Sequence, residues 1–328
     1  MLFDECPLAV FTIPPSPFAQ PLPHDAPVCE GFEFLRVLEA DDVTVVYEAR
    51  CKASNEVVSL RILRRECVGG GEGSLRIERE AQLAASFQGP NVLATRGIVA
   101  TQDGLPCLVT ERTRGGSLES LLQERGKLEP LEAVQYALQI CAALDSAHTA
   151  GVVHGNLEAS HIFVSEEHGN VVLKVANFGR VAARDALAAN RAGFTVPAGP
   201  LKYSAPEQSR ADHADVRSDL WSVGVLLFRM ISGSYPYPER GQAPLSAAIS
   251  AREAPSLVAT MPFVDRLLAS VVKNLLRRDP NLRYQDVEEL VFALTPFVDG
   301  TEVLDEDIMY PSVRLPASYY AEGAASAV

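Results

Sequence analysis

Hydrophobic and polar positions follow two different periods in the interior of the chain. Before residue 112, short runs rich in β-branched and aromatic residues alternate with polar breaks, which is the pattern of strands and turns. The runs predict strands at Phe32–Leu38, Thr44–Arg50, Val57–Leu63, Val92–Ala100 and Pro106–Glu111. Apolar residues recur at helical spacing over Leu75–Phe87, so this part predicts a small sheet with one inserted helix.

From residue 115 onward the period is mostly that of a helix. The pattern predicts helices at Leu131–Ala150, Ser218–Ser232, Val264–Arg278 and Val287–Phe297. Short β signals at His161–Val164 and Val171–Val175 interrupt the helical part. A β-rich segment followed by a helical one predicts an α+β fold with two lobes.

The two ends of the chain differ in composition from its interior. Residues 1–29 hold seven of the 22 prolines, which predicts an extended arm because proline fixes φ and lacks an N–H donor. Residues 299–328 begin with acidic residues and end in small ones, as flexible tails do. The predicted domain spans 30–298, with an N-lobe at 30–111 and a C-lobe at 115–298.

Charge and cysteine usage narrow the classes of function. The chain has 29 Lys and Arg against 42 Asp and Glu, a net charge of −13, so we expect neither a nucleic-acid partner nor an anionic membrane surface. Its six cysteines are scattered without a C-x-x-C pair. No basic region precedes the first apolar run, and the longest apolar stretch, Leu220–Ile231, is too short to span a membrane. A cytoplasmic protein is expected.

Nine short sequence segments occur along the chain in the same order as the motifs of a known protein family. They are VVYEAR (Val45–Arg50), VSLRIL (Val58–Leu63), REAQLAASFQGPN (Arg79–Asn91), LVTERTRGGSLESLL (Leu108–Leu122), HGNLEASHIFV (His154–Val164), VANFGR (Val175–Arg180), YSAPEQ (Tyr203–Gln208), RSDLWSVGVLLF (Arg217–Phe228) and RRDPNLRYQDVEEL (Arg277–Leu290). Together they resemble the subdomains of the protein serine/threonine kinase family, especially its bacterial members. The resemblance covers about residues 31–298 and implies a protein-kinase-like bilobal fold.

The resemblance implies an ATP cleft whose phosphate-binding positions are substituted. In the family, a glycine loop and a lysine held by a helix glutamate contact the phosphates. Here Glu39, Asp41 and Thr44 stand at the three glycine positions. Arg61 stands at the lysine position and Glu80 at the glutamate position, so we expect an Arg61–Glu80 pair that ties the helix to the sheet. The other cleft positions implied are Val46, Ser59, Thr110, Glu111, Thr113 and Phe163.

The implied catalytic and metal-binding positions are substituted as well. Asn156 replaces the aspartate that receives the substrate's proton, and Glu158 replaces a lysine. His161 and Asn177 stand where the family has its two metal-binding residues, so no metal site is expected.

The positions that hold the fold in this family are kept. Glu207 and Arg283 are expected to form a buried ion pair in the C-lobe. The Asp219 carboxylate is expected to accept backbone N–H bonds from the loop that begins at His154.

The positions that contact phosphate or metal are substituted, whereas the positions that hold the fold are kept. This pattern predicts a pseudokinase and not an enzyme. Loss of a general base lowers a rate by about 10²–10⁴, and loss of one electrostatic group by about 10²–10³. We therefore expect a scaffold or allosteric regulator in signalling that needs no cofactor and binds proteins, such as an active kinase or its substrate. Two alternatives stay open: an active serine/threonine kinase with a rearranged ATP site that uses ATP and Mg²⁺, and a nucleotide sensor that needs no Mg²⁺.

Overall fold

A computed structural model describes residues 21–22, 26–40, 44–64, 72–113, 115–167, 170–179, 201–209 and 214–298. The predicted tail at 299–328, Asp41 and most of the predicted arm at 1–29 lie outside the described residues. The few described residues of the arm bind the N-lobe: Cys29 pairs with Thr101 as an isolated β-bridge, and Leu22 packs on the sheet.

A five-stranded antiparallel sheet forms most of the N-lobe, in the order β1-β2-β3-β5-β4. Its strands are β1 (Phe32–Ala40), β2 (Thr44–Cys51), β3 (Val57–Leu63), β4 (Thr95–Ala100) and β5 (Pro106–Glu111). Helix α1 (Glu72–Ala84) follows β3 in the chain and packs against β4 and β5.

The register of the sheet separates an apolar face from a face that meets α1. Arg61 lies opposite Val46 on β2 and Leu108 on β5, so these side chains share one face. That face meets α1, because Arg61 contacts Glu80 there. The other face is a buried apolar cluster that includes Val37, Tyr47, Leu60, Ile62, Cys107 and Val109.

The C-lobe is helical and carries the larger core. Its helices are α2 (Leu118–Arg125), α3 (Pro130–Thr149), α4 (Pro206–Ser209), α5 (Val216–Ser232), α6 (Gln242–Ala251), α7 (Leu257–Thr260), α8 (Arg266–Leu275) and α9 (Val287–Leu294). Three short 3₁₀ helices lie at Ala159–His161, Pro280–Leu282 and Thr295–Phe297. Within the described part of the chain, no helix is long and apolar enough to cross a membrane.

Helix α5 is the centre of this core, and its ends are well defined. The Asp215 carboxylate accepts a hydrogen bond from the Arg217 N–H (2.8 Å), and Ser218 Oγ accepts one from the Asp215 N–H, which completes a capping box. The helix ends at Gly233 in a left-handed conformation (φ 75°). Trp221, in its second turn, is fully buried.

A β-hairpin lies where the two lobes meet. Its strands are β6 (Ile162–Glu167) and β7 (Asn170–Val175). The segment that links the lobes comprises residues 112–116. Ser117, just after it, pairs with Phe163 of β6 as an isolated β-bridge. The linking chain passes so close to the hairpin that a Cβ on Gly115 would lie 1.5 Å from the Val164 carbonyl oxygen, so only glycine fits there.

The structure confirms the predicted α+β architecture with two lobes, and it changes some element bounds. Strand β4 begins at Thr95, not at Val92, because Val92 instead pairs in parallel with Val175 of the hairpin. Helix α1 ends at Ala84, and Ser86 Oγ donates to the Leu83 carbonyl oxygen (2.6 Å) just beyond this end. Helices α2, α4, α6 and α7 were not predicted.

Candidate active site

A buried ion pair joins the sheet of the N-lobe to α1. The guanidinium of Arg61, on β3, is hydrogen-bonded to the Glu80 carboxylate on α1. Only 11% of the Arg61 side chain and 3% of the Glu80 side chain are exposed. A charge buried to this degree is stable only with an opposite charge beside it. The pair therefore fixes the position of α1 relative to β3.

The same guanidinium reaches the turn that follows β7. Arg61 Nη1 lies 3.4 Å from Asn177 Oδ1. Asn177 has a φ of 67°, in the left-handed region that asparagine tolerates better than most residues. Two residues on, Gly179 has a φ of 79°, and a Cβ there would lie 2.9 Å from Leu83 Cβ. The turn thus packs directly on α1, and Arg61 connects three elements at one point.

An aromatic stack continues from this turn into the C-lobe. The ring of Phe178 lies 5.0 Å from that of Phe87 and 4.7 Å from that of His154. His154 Nδ1 accepts the Asn156 N–H, so Nε2 carries the proton and donates to the Ala176 carbonyl oxygen (3.0 Å). Burial, although opposed by Asp219, lowers the pKa of His154 below its ordinary value, so the ring is neutral.

Asp219, near the start of α5, holds the loop that begins at His154. Its carboxylate accepts the backbone N–H groups of His154 (2.9 Å) and Gly155 (2.7 Å). It also lies 2.8 Å from His148 Nε2, and its side chain is 1% exposed. The loop is therefore anchored to the most buried helix of the protein.

Glu158 and His161 contact each other within this loop. His161 Nδ1 lies 2.9 Å from the Asn156 carbonyl oxygen, and His161 Nε2 lies 3.2 Å from Glu158 Oε1. Ser160 Oγ donates to the same Glu158 oxygen (2.6 Å). Both ring nitrogens of His161 thus face acceptor groups, and Glu158 has a nearby partner for its charge.

The remaining cleft positions divide between the lobes. Ser59 lies opposite Thr110 across β3 and β5, two residues along from Arg61 and therefore on the same face. Glu39, at the exposed end of β1, lies opposite Val46, and Thr44 is buried at the start of β2. Thr113 is buried in the segment that links the lobes, and Phe163 is half-buried on the C-lobe hairpin. Asp41 lies outside the described residues.

Sequence reasoning missed a charged cluster beside the segment that links the lobes. Glu48 on β2 binds Arg36 Nε (2.6 Å) and Arg112 Nε (2.9 Å), and the Arg112 guanidinium also donates to the Thr113 carbonyl oxygen. Burial of Glu48 would raise its pKa, but the two arginines outweigh it and hold the pKa below the ordinary value. The opposite charges of Arg36 and Glu48 at paired positions of β1 and β2 were the available signal.

Glu111, the last residue of β5, is held by groups from two other parts of the chain. Its Oε1 accepts the Ala94 N–H (2.9 Å) and lies 3.5 Å from Lys174 Nζ. The carboxylate therefore contacts the residue just before β4 and the β6–β7 hairpin.

The ion pair expected in the C-lobe is present in bidentate form. Arg283 Nη1 and Nη2 donate to the two carboxylate oxygens of Glu207, each at 2.7 Å, and the Arg283 side chain is 0% exposed. Ser218 Oγ donates to the same carboxylate at 2.8 Å. The pair connects α4 to α5 and to the chain before α9.

Comparisons with known proteins place this geometry in a family. The protein kinase domain family matches residues 34–292. The chain is 30% identical over 267 residues to the serine/threonine-protein kinase PknB of Mycobacterium tuberculosis, covering 80% of this chain and 42% of that protein. It is 28% identical over 261 residues to the serine/threonine-protein kinase PrkC of Bacillus subtilis, covering 79% and 39%. The chain thus spans about two fifths of the length of these relatives.

A solved structure shows the same fold. The PknI kinase domain of Mycobacterium tuberculosis superposes with a TM-score of 0.63 at 20% identity, covering 82% of this chain and 96% of that one. This likeness confirms the protein-kinase-like bilobal fold expected from the sequence.

These relatives correct the expectation of a non-enzyme, because they are named as serine/threonine kinases. The physical reason is that Arg61 keeps both the positive charge and the pairing with Glu80 at its position. The family also uses ATP with Mg²⁺, against the expectation of no cofactor. This chain belongs to the protein kinase domain family.

Proposed function

We propose that this chain is a protein serine/threonine kinase with a rearranged ATP site, acting in signalling on serine or threonine hydroxyls of protein partners. The observation that carries the proposal is the position of Arg61, which joins β3, α1 and the turn at Asn177. Phosphoryl transfer depends mainly on positioning and on neutralising charge, and this assembly offers a fixed cation beside the turn.

The remaining roles follow from the same geometry. Asp219 holds the backbone of the loop that carries Asn156, and the substrate hydroxyl would approach this loop. An amide does not accept a proton as a carboxylate does, so Asn156 orients the hydroxyl without acting as a base. A typical kinase turns over at about 1–100 s⁻¹, and loss of the base lowers this by about 10²–10⁴. We therefore expect slow turnover, roughly 10⁻⁴ to 1 s⁻¹.

The donor set does not fit a tightly bound Mg²⁺ ion. Mg²⁺ prefers carboxylate oxygens, whereas Asn177 offers one neutral amide oxygen that already faces Arg61. Across the described ranges, no group of three His, Cys, Asp or Glu residues is placed to hold a metal ion. We derive no step through a metal ion for this reason.

The test is transfer of labelled phosphate from ATP to mixed protein substrates by the purified chain. We expect slow, linear transfer that Arg61→Lys retains, because lysine keeps a cation beside Glu80. The double variant Arg61→Gln with Glu80→Gln removes both charges, so neither is left buried without a partner. We expect this variant to abolish transfer. Transfer by the native chain no faster than by the double variant contradicts the proposal.

A further inference from the structure

We propose that the phosphates of a nucleotide bind directly to the Arg61 guanidinium and that this binding does not require a divalent cation. The inference rests on the proposed function for the identity of the ligand as a nucleotide. It adds that the protein itself supplies the charge that Mg²⁺ supplies in other kinases.

Arg61 has more N–H donors than its observed hydrogen bonds use. A guanidinium carries five N–H donors. One Nη2 donor binds Glu80, and one Nη1 donor contacts Asn177 Oδ1. The other three donors have no partner among the residues that the structure describes. The Arg61 side chain is 11% exposed, so part of it remains accessible to solvent and to a ligand.

The planar guanidinium of Arg61 matches the geometry of a phosphate. Two parallel N–H groups of a guanidinium bind two oxygens of one phosphate, which gives both strength and orientation. The ion pair with Glu80 and the contact with Asn177 already hold the guanidinium in place. Less side-chain entropy is therefore lost when an anion binds.

The surroundings of Arg61 and Asn177 disfavour a metal ion that would compete for the phosphates. A cation placed at Asn177 Oδ1 would lie close to the Arg61 guanidinium, since the two groups are 3.4 Å apart. Like charges at such a distance repel, and a neutral amide does not compensate for this as a carboxylate would. His161 does not offer a free ligand atom either, because both of its nitrogens face acceptors within the loop.

The sheet register explains why the phosphates would reach Arg61 from one side. Val46 lies beside Arg61 on β2, and Ser59 and Thr110 lie two residues farther toward the segment that links the lobes. A base near this segment would place its phosphates toward Arg61 along the same face. The end of the sheet that lies toward Arg61 is thus the phosphate end of the cleft.

The experiment measures nucleotide binding to the full chain by isothermal titration, with excess EDTA and again with Mg²⁺. The probes are ATP, adenosine and inorganic tripolyphosphate, which separate the contribution of the base from that of the phosphates. We expect the two ATP affinities to agree within about threefold, and ATP to bind at least about tenfold tighter than adenosine in EDTA. Tripolyphosphate binding in EDTA that the double variant Arg61→Gln with Glu80→Gln abolishes would show that the phosphates alone suffice.

Two variants carry the test. The double variant Arg61→Gln with Glu80→Gln should weaken ATP binding in EDTA by about tenfold or more and leave adenosine unchanged. Asn177→Asp places a carboxylate beside Arg61, so it should weaken ATP binding in EDTA and make it depend on Mg²⁺. ATP binding by the native chain only when Mg²⁺ is present would overturn the inference, and so would equal ATP affinity in the native and double-variant chains.

The experiments can refute the proposed function and this inference independently of each other. Metal-independent ATP binding without phosphate transfer supports this inference and contradicts the proposed function. Phosphate transfer, together with ATP binding that occurs only when Mg²⁺ is present, supports the proposed function and contradicts this inference.

Discussion

Replacement of Glu207 by alanine tests the structural core of the C-lobe. Arg283, whose side chain is 0% exposed, donates to both Glu207 oxygens at 2.7 Å. Its other hydrogen bonds go to carbonyl oxygens of Arg277 (2.7 Å), Arg217 (2.9 Å) and Arg278 (3.3 Å). Without Glu207, a full positive charge stays buried among neutral acceptors. Breaking a buried pair in this way lowers the free energy of unfolding by about 3–5 kcal/mol.

The chain offers a matched control for this prediction. Arg125 and Glu132 form an ion pair with the same bidentate geometry, at 2.7 Å for each bond, but their side chains are 30% and 25% exposed. Solvent screens such a pair, so Glu132→Ala should lower the free energy of unfolding by at most about 1 kcal/mol. Both variants remove a carboxylate from a bidentate pair with arginine, and the two sites differ chiefly in burial.

Thermal and urea unfolding followed by circular dichroism measure both variants. Since about 1 kcal/mol shifts Tm by roughly 2–4 °C in a domain of this size, Glu207→Ala should lower Tm by about 6–20 °C. Asn156→Ala serves as a second control, because it leaves this pair intact. Losses of similar, small size for Glu207→Ala and Glu132→Ala would refute the reasoning.

The same pair predicts a dependence on pH. Burial of the Glu207 carboxyl would raise its pKa, but hydrogen bonds and charge from Arg283 outweigh burial and hold the pKa below the ordinary value of 4.5. A lowered pKa means that the unfolded chain binds protons first, so the stabilisation is complete above pH 4.5 and is lost as the pH falls through the lower folded value. The Glu207→Gln variant should lack this part of the acid-induced loss.

Three further predictions concern local structure. Gly179→Ala should lower the free energy of unfolding by about 2 kcal/mol or more, because a Cβ there would meet Leu83 Cβ at 2.9 Å. The control Gly104→Ala, at a similar φ but in open space, should lower it by about 1–2 kcal/mol through backbone strain alone. Urea unfolding measures both variants. Asp215→Ala should lower it by about 0.5–2 kcal/mol through loss of the α5 cap, and Asp215→Asn should restore most of this loss in the same assay. Burial lowers the pKa of His154 below 6.5, so stability should begin to fall as the pH drops below 6.5, and a pH series of melts on His154→Gln should show a smaller decline.

The fold was largely predictable because the hydrophobic pattern of each segment agrees with its burial in the folded chain. The alternating runs of the N-lobe end close to the observed strands, and the hydrophobic period of α5 marks the most buried helix. Helix α6 escaped prediction because its residues are mostly small, and small residues give a weak amphipathic pattern. The start of β4 was misplaced because Val92 pairs with a strand of the other lobe, which no local pattern reveals.

The positions of the site residues and some of their contacts could be predicted from the sequence. Motif order was enough to align Arg61 with Glu80, and the structure brings the two side chains together. The contact between Arg61 and Asn177 joins residues that are 116 positions apart, so only the folded chain shows it. The expectation of a non-enzyme counted Arg61 among the lost groups, whereas in the folded chain Arg61 keeps a positive charge that is paired with Glu80.

The most direct test of the central claim is the identity of the product formed by the purified chain. The native chain, the Arg61→Lys variant and the Arg61→Gln, Glu80→Gln variant are each incubated with ATP and a mixture of protein substrates, and phosphorylated residues are mapped by mass spectrometry over time. The proposed function predicts phosphoserine or phosphothreonine that accumulates slowly and linearly with the native chain and with Arg61→Lys, and that is absent with the double variant. No phosphorylated product from the native chain, or equal amounts from all three proteins, would contradict it.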